Sequence, residues 1–299
     1  MRDLRTIKLL CSLLKIGDFM AKNVVEQAIE NIRLKSQGID SSIASAVTIN
    51  FHPDRFTAEN KPILQAIAED GYLKSQFETG TSNGGLTAYI GGERWLWEQS
   101  VFDGAYDDAS NSLRPKYGAL NYRNYEAGAS PRFGSSYFQL KPNVSYRTTF
   151  CYPDSYFAPE DFAVFNRVGL LVDKALASNS DLLDDYIEAH IHGEISVKDD
   201  IECLVLDPIF RAGPIEEQAA NLGVPVKWHN GYELSLEEMS RYPDYRGQKY
   251  IELAKELARN GRINAKILGL AVARQGYDEQ EVKKVWHYLA RFGYQSARA

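Results

Sequence analysis

Apolar positions near the start of the chain recur at spacings of three and four. Ile7, Leu10 and Leu14 are followed by Val24, Val25, Ala28, Ile29 and Ile32, which predicts helix over residues 1–37 with Gly38 as its stop. The run Ala46-Val47-Thr48-Ile49-Asn50-Phe51 is β-branched and mostly apolar, and predicts a strand. It leads into His52-Pro53-Asp54-Arg55, where Pro53 forbids a continuing central strand and leaves three polar groups at a strand end. Pro62 starts a short helix over 61–70. Glycine is dense from Gly80 to Gly92, and a loop-rich stretch is expected onward to about residue 135. Strands are expected at 135–141 and 146–152, helix at 161–177, strands at 186–192, 201–206 and 224–228, and helix at 215–222. Three helices then follow near 247–259, 264–273 and 278–291. No internal repeat or low-complexity segment interrupts this order.

The strand at 186–192 has the most informative alternation. Period two sets Tyr186, Glu188, His190 and His192 on one face and Ile187, Ala189 and Ile191 on the other, with Gly193 ending it. The apolar face predicts core. The polar face fits either the floor of a cleft or the wet side of a half-exposed antiparallel strand.

Composition narrows the class. With 44% hydrophobic and 25% charged residues in 299, the chain reads as an ordinary globular protein that needs no disulfide or metal staple. No apolar run approaches the roughly 18 residues of a membrane span. A net charge of -6 argues against broad nucleic-acid binding, which depends on neutralising phosphates. The charge is uneven: residues 250–299 carry nine Lys/Arg against five Asp/Glu. Cys11, Cys151 and Cys203 are odd in number and far apart, which argues against a disulfide framework and for a reducing compartment. Lys8 and Lys15 interrupt the first apolar stretch, so it reads as an amphipathic helix rather than a secretory signal.

Several clusters carry candidate chemistry. Glu188 with its flanking Tyr186 and His190 is the first, and His52, Asp54 and Arg55 form the second. Arg132-Phe133-Gly134-Ser135-Ser136-Tyr137-Phe138 joins a glycine, open to close ligand approach, with two hydroxyls and a phenol. Thr79-Gly80-Thr81-Ser82-Asn83-Gly84-Gly85 lacks the lysine of a P-loop and reads as a flexible loop. His190 and His192 make a possible metal pair needing His52 or Asp154 as a third ligand. Cys151 has no histidine near it in sequence.

Five segments in order resemble the bacterial CteC-like family of ADP-ribosyltransferases, which act on a threonine of ubiquitin. They are Phe51-His52-Pro53-Asp54-Arg55, Ser75-Gln76-Phe77-Glu78-Thr79-Gly80, Arg114-Pro115-Lys116-Tyr117-Gly118-Ala119-Leu120-Asn121, Ser130-Pro131-Arg132-Phe133-Gly134-Ser135 and Tyr186-Ile187-Glu188-Ala189-His190-Ile191-His192-Gly193. The resemblance spans about residues 45–215. It implies the split β-sandwich of ADP-ribosyltransferases, an α+β fold; the residue patterns add flanking helices and a C-terminal helical appendage. The expected division is a helical segment at 1–40, a catalytic domain at 41–215 with a loop-rich insertion at 80–115, and a mainly helical region at 216–299.

The resemblance also implies NAD as the substrate, no metal, ubiquitin as the partner, and the role of a bacterial effector or toxin secreted into a host cytosol to block ubiquitination. Glu188 is then the catalytic glutamate, paired with Asp54 or, second, Asp154. His52, Arg55, Gly134, Ser135, Ser136, Tyr137 and Tyr117 are the expected NAD-binding residues. The chemistry suits these types: a fixed carboxylate steadies the oxocarbenium-like sugar, and a base activates the acceptor hydroxyl. Two other functions remain open on the residues alone, a metal-dependent hydrolase built on His190 and His192 and an inactive NAD-fold binding module.

Overall fold

The computed structural model describes residues 23–41, 43–81 and 86–295. Most of the first helical segment, Cys11, and the Ser82–Gly85 part of the glycine-rich loop lie outside the described residues. Among the described residues, 23–35 form helix α1.

Among the described residues eight strands hydrogen-bond in one mixed sheet. In chain order they are β1 (Val47–Phe51), β3 (Lys116–Leu120), β4 (Ser136–Leu140), β5 (Thr148–Tyr152), β6 (Asp161–Val164), β7 (Ile187–Ile191), β9 (Ile201–Leu206) and β10 (Val226–Trp228). Their spatial order is β10-β9-β4-β1-β3-β7-β5-β6. Every neighbouring pair is antiparallel except β9 and β10, which run parallel. Two-stranded pieces are made by β2 (Tyr72–Leu73) with β8 (Ile195–Ser196) and by β11 (Glu233–Ser235) with β12 (Arg262–Asn264). The molecule is thus α+β, and β10 carries the sheet past residue 215.

Helices cover the sheet. They are α2 (Ile63–Asp70), α3 (Gln76–Thr79), α4 (Glu93–Val101), α5 (Gly169–Ala177), α6 (Val197–Asp200) and α7 (Pro214–Ala220). The last part adds α8 (Leu236–Met239), α9 (Gln248–Leu257), α10 (Ala265–Gln275) and α11 (Glu279–Phe292). The main core holds Ile187, Ala189 and Ile191 with Leu120, Phe138, Phe150 and Leu171, so the apolar face of β7 lies in the core as its alternation predicts. Each fully buried side chain of this size contributes about 1.5–3 kcal/mol. The C-terminal helices build a second core around Trp286, Tyr288 and Leu289, which also takes in Phe210 and Leu183.

Three regions differ from the sequence expectation. The loop-rich stretch contains α4, whose buried positions are Arg94, Glu98 and Val101; two of the three are charged, so hydrophobic periodicity could not reveal the helix. Residues 116–120 form a central strand despite the proline and glycine around them. A Cβ on Gly118 would stand 2.5 Å from the Thr48 carbonyl oxygen, so the glycine permits close strand packing. The expected helix over 161–177 splits into β6 and α5, because Asp161–Val164 pairs with β5 at the sheet edge.

Candidate active site

The polar face of β7 is not wet. All five residues of the strand are buried, and α4 with the segment after it covers them. Phe102 packs edge-on against both His190 and His192 at ring distances of 5.7 and 5.1 Å. Register places Ala119 of β3 opposite Glu188 and Tyr117 opposite His190, which brings the phenol and the carboxylate to one patch of sheet.

Glu188 lines a cavity of about 250 Å³ together with Arg94, Tyr117, Ser130, Arg132, Asp154 and Tyr186. Its Oε2 accepts from the Ser155 hydroxyl at 3.0 Å, and its Oε1 faces His190 Nε2 at 3.1 Å. Arg94 Nη1 stands 3.9 Å from Oε1 and donates to Ser155 Oγ at 2.9 Å. Burial pushes the Glu188 carboxyl upward, but the His190 hydrogen bond, the Arg94 charge and Ser155 outweigh it and hold it below its ordinary range. Burial likewise lowers His190, which is therefore neutral. The cavity floor carries a fixed negative charge at neutral pH.

A buried network sets the cation. The Arg94 guanidinium lies 4.0 Å over the Tyr117 ring. Tyr117 donates to Glu98 Oε1 at 2.7 Å, and Arg114 Nη1 donates to Glu98 Oε2 at 2.6 Å. Arg94 Nε is buried without a hydrogen-bond partner, although Arg94 lines the cavity.

Asp154 shares this cavity. It follows β5 and caps the short turn Ser155–Phe157, with Oδ1 accepting from Tyr156 N at 2.8 Å. Tyr186 donates its hydroxyl to the other oxygen. Burial raises the Asp154 carboxyl, Tyr186 opposes that shift, and the nearby Glu188 charge adds to it. A carboxyl raised by burial beside a second, charged carboxylate is the arrangement expected of an acid/base pair.

The loop that supplies Ser130 and Arg132 is held from two sides. Asn50 Nδ2 donates to the carbonyls of Ala127 and Gly134 at 2.8 and 3.3 Å, and Trp286 Nε1 donates to Pro131 O at 3.0 Å. Asn50 and Trp286 belong to β1 and α11, so the C-terminal helices help shape the cavity.

Several expected site residues lie elsewhere. Asp54 does not meet Glu188; it belongs to a different cavity, its carboxyl resting on the bare backbone at Gly269 of α10. His52 packs edge-on against Trp286 at 4.8 Å, and Arg55 contacts Glu279 at 3.2 Å. Pro53 ends β1 and turns these three side chains toward the C-terminal helices. Gly134 is not a site of ligand approach, because a Cβ there would lie 2.0 Å from the Phe51 carbonyl carbon. Ser135 is fully buried, with its carbonyl accepting from His229 at 2.6 Å. Ser136 Oγ accepts from Asp207 N at 3.2 Å, and Tyr137 donates to Glu126 O at 3.0 Å. None of the last four lines the cavity; Ser130, Arg132 and Phe133, just ahead of them, do. Of the expected residues, the cavity unites Glu188, Tyr117 and the second-choice Asp154. Arg94 and Glu98 were missed, since they lie on the helix hidden in the loop-rich stretch.

Among the described residues His192 does not join a metal-ligand group. It accepts from Tyr106 at 2.6 Å and meets Thr149 at 2.9 Å. Cys151 instead approaches His190, with Sγ 3.7 Å from Nε2. Ligand atoms of Cys151, Glu188 and His190 lie within 4.8 Å of one another. Burial holds the Cys151 thiol well above its ordinary range, so without a cation it is no thiolate nucleophile. Among the described residues no helix is long and apolar enough to cross a membrane.

A family model described as "Protein of unknown function (DUF3626)" matches residues 46–173 and 164–292. No curated protein matches the chain.

Proposed function

We propose that this chain, which belongs to the DUF3626 family, is an NAD-dependent mono-ADP-ribosyltransferase that modifies a protein hydroxyl. Ubiquitin threonine is the acceptor that the resemblance favours, and with it the role of a secreted bacterial effector that blocks ubiquitination. The eight-stranded sheet is, on this reading, the catalytic core of an ADP-ribosyltransferase fold. One observation carries the proposal: a carboxylate held charged by His190 and Ser155 lines a small cavity with the Arg94 guanidinium beside it.

The residues suit the substrate. The volume of about 250 Å³ is small beside the roughly 300–1,000 Å³ of typical ligand pockets, so only part of a dinucleotide enters. The ribose and nicotinamide belong nearest Glu188. In the reaction the bond between ribose C1′ and the nicotinamide nitrogen breaks, and nicotinamide leaves neutral with the electron pair. Glu188 stabilises the positive charge left on the sugar. The acceptor oxygen bonds to C1′, and Asp154 takes its proton; a positioned base of this kind contributes about 10²–10⁴ in rate. Arg94 orients Glu188.

The test incubates the full chain with NAD and ubiquitin and follows intact mass. The expected result is one added ADP-ribose on a hydroxyl, abolished by Glu188→Gln with the melting temperature preserved. Wild-type activity in that variant overturns the assignment.

The Cys151–Glu188–His190 grouping supports a second reading, a metal-dependent hydrolase. Elemental analysis of the purified chain separates the two, since stoichiometric zinc bound by these three residues favours the hydrolase.

A further inference from the structure

A second cavity, of about 390 Å³, lies just past β1, between the turn Pro53–Phe56, the segment Ile209–Gln218 and α10. Arg55, expected to bind NAD, and Asp54, expected to pair with Glu188, are both in its wall. Among the described residues four basic side chains line it: Arg55, Arg211, Lys266 and Arg274. Among the described residues Arg211, Lys266 and Arg274 make no ion pair. Arg211 lies over the Trp228 ring at 4.8 Å. Arg55 touches Glu279 through Nε at 3.2 Å, but its Nη1 is buried and has no hydrogen-bond partner. Gln218 Oε1 is also buried and unpartnered in the same wall. Apolar surface stands open beside these cations, with Phe56 46% and Leu270 38% exposed. Asp54 is the acid of the wall, and its carboxyl is turned onto the Gly269 backbone.

A buried guanidinium donor left unmade is costly, and groups of this kind are satisfied by a ligand or ordered water. Several guanidinium groups around one small volume match an anion with several oxygens better than a lone carboxylate. The exposed apolar walls call for a ligand body that is not itself charged. A cavity of this volume encloses one small molecule, whereas a protein partner requires a face of roughly 800 Å² or more per side. We propose that this cavity binds a small phosphate-bearing molecule, its phosphates on Arg55, Arg211, Lys266 and Arg274 and its body against Phe56, Ile215 and Leu270. The proposal does not depend on transferase activity at Glu188.

Titration calorimetry of the full chain with ADP and with inorganic pyrophosphate, near physiological salt, tests it. Lys266 and Arg274 are exposed on α10 and line the second cavity but not the first. Wild type is expected to bind both probes. K266E/R274E is expected to weaken both at least about tenfold, the scale of losing one charge-assisted hydrogen bond, with its melting temperature unchanged. Arg211→Ala, a milder second variant, weakens them in the same direction. E188Q leaves this binding intact, which separates failure here from failure of the transferase reading. Absence of binding by wild type overturns the proposal. So does binding that K266E/R274E leaves unchanged, which would locate the probes in the first cavity. Binding of a polyglutamate peptide without binding of either phosphate probe overturns it in favour of an acidic protein partner.

Discussion

His190 Nε2 lies 3.1 Å from Glu188 Oε1, two residues along the same buried strand. This contact ends a chain of polar groups. Tyr106 donates to His192 Nδ1 at 2.6 Å, His192 Nε2 meets Thr149 Oγ1 at 2.9 Å, and Thr149 meets His190 Nδ1 at 3.2 Å. With both histidines neutral, one assignment satisfies every link: each group donates toward Glu188, and the last proton points at the carboxylate. The buried polar face of β7 is therefore directional.

Loss of His190 should release the carboxylate from its depressed range. Hydrogen bonds to charged groups contribute about 1.5–3 kcal/mol, or roughly one to two pH units. His190→Ala is expected to move the acid limb of the NAD-hydrolysis rate upward by about that much, because Glu188 must be ionised. The sign holds for stability too: a depressed carboxyl stabilises the fold above its unfolded value, and that contribution is lost as pH falls through the folded one. Superimposable pH–rate profiles for variant and wild type would show that His190 does not act on Glu188.

Asp154 and Asp54 should part company in a paired experiment. Asp154→Asn is expected to reduce transfer by about 10²–10⁴ with the fold intact. Asp54→Asn should leave transfer unchanged and affect stability instead. Burial raises the Asp54 carboxyl to about 6 against the opposing Arg55 charge. The folded protein thus holds a proton that the unfolded chain has already released, and stability falls as pH rises from about 4 to 6. The asparagine variant escapes that loss and gains up to about 2–3 kcal/mol over wild type at neutral pH. Denaturant unfolding at pH 4.5 and 7.5 measures it; an equal difference at both values contradicts the burial argument.

Glu98 should behave as a structural keystone. Its carboxylate is buried between Arg114 and Tyr117. Glu98→Ala leaves the buried Arg114 guanidinium without its carboxylate, at a cost of about 3–5 kcal/mol. The expected fall in melting temperature is roughly 5–8 °C for a chain of this size, read by calorimetry. A fall below about 2 °C would mean that the network relaxes without loss.

Gly134→Ala tests a different contact. The added carbon would stand 2.0 Å from the Phe51 carbonyl carbon, and the obstacle is backbone. Separation of β1 from the loop before β4 is expected to destabilise by about 3 kcal/mol or more. A near-normal denaturation midpoint would show that β1 and this loop separate at little cost.

The sequence by itself determined what local periodicity can encode. The alternation of β7, the strand at 201–206 and the three C-terminal helices follow from patterns of apolar residues, since each of those elements buries apolar side chains at a regular spacing. It also singled out Glu188, because a carboxylate between histidine and tyrosine on such a strand is chemically conspicuous. Tertiary structure decided which residues share that carboxylate's cavity. Asp54 lies close to the β1 motif in sequence, yet Pro53 directs it to α10, whereas Asp154 comes to Glu188 because β5 pairs with β7. Helix α4 stayed hidden because it buries Arg94 and Glu98, charges stabilised by partners far along the chain rather than by an apolar face of their own. Long-range pairing among strands and burial of compensated charge leave little trace in local composition, and on them the candidate site depends.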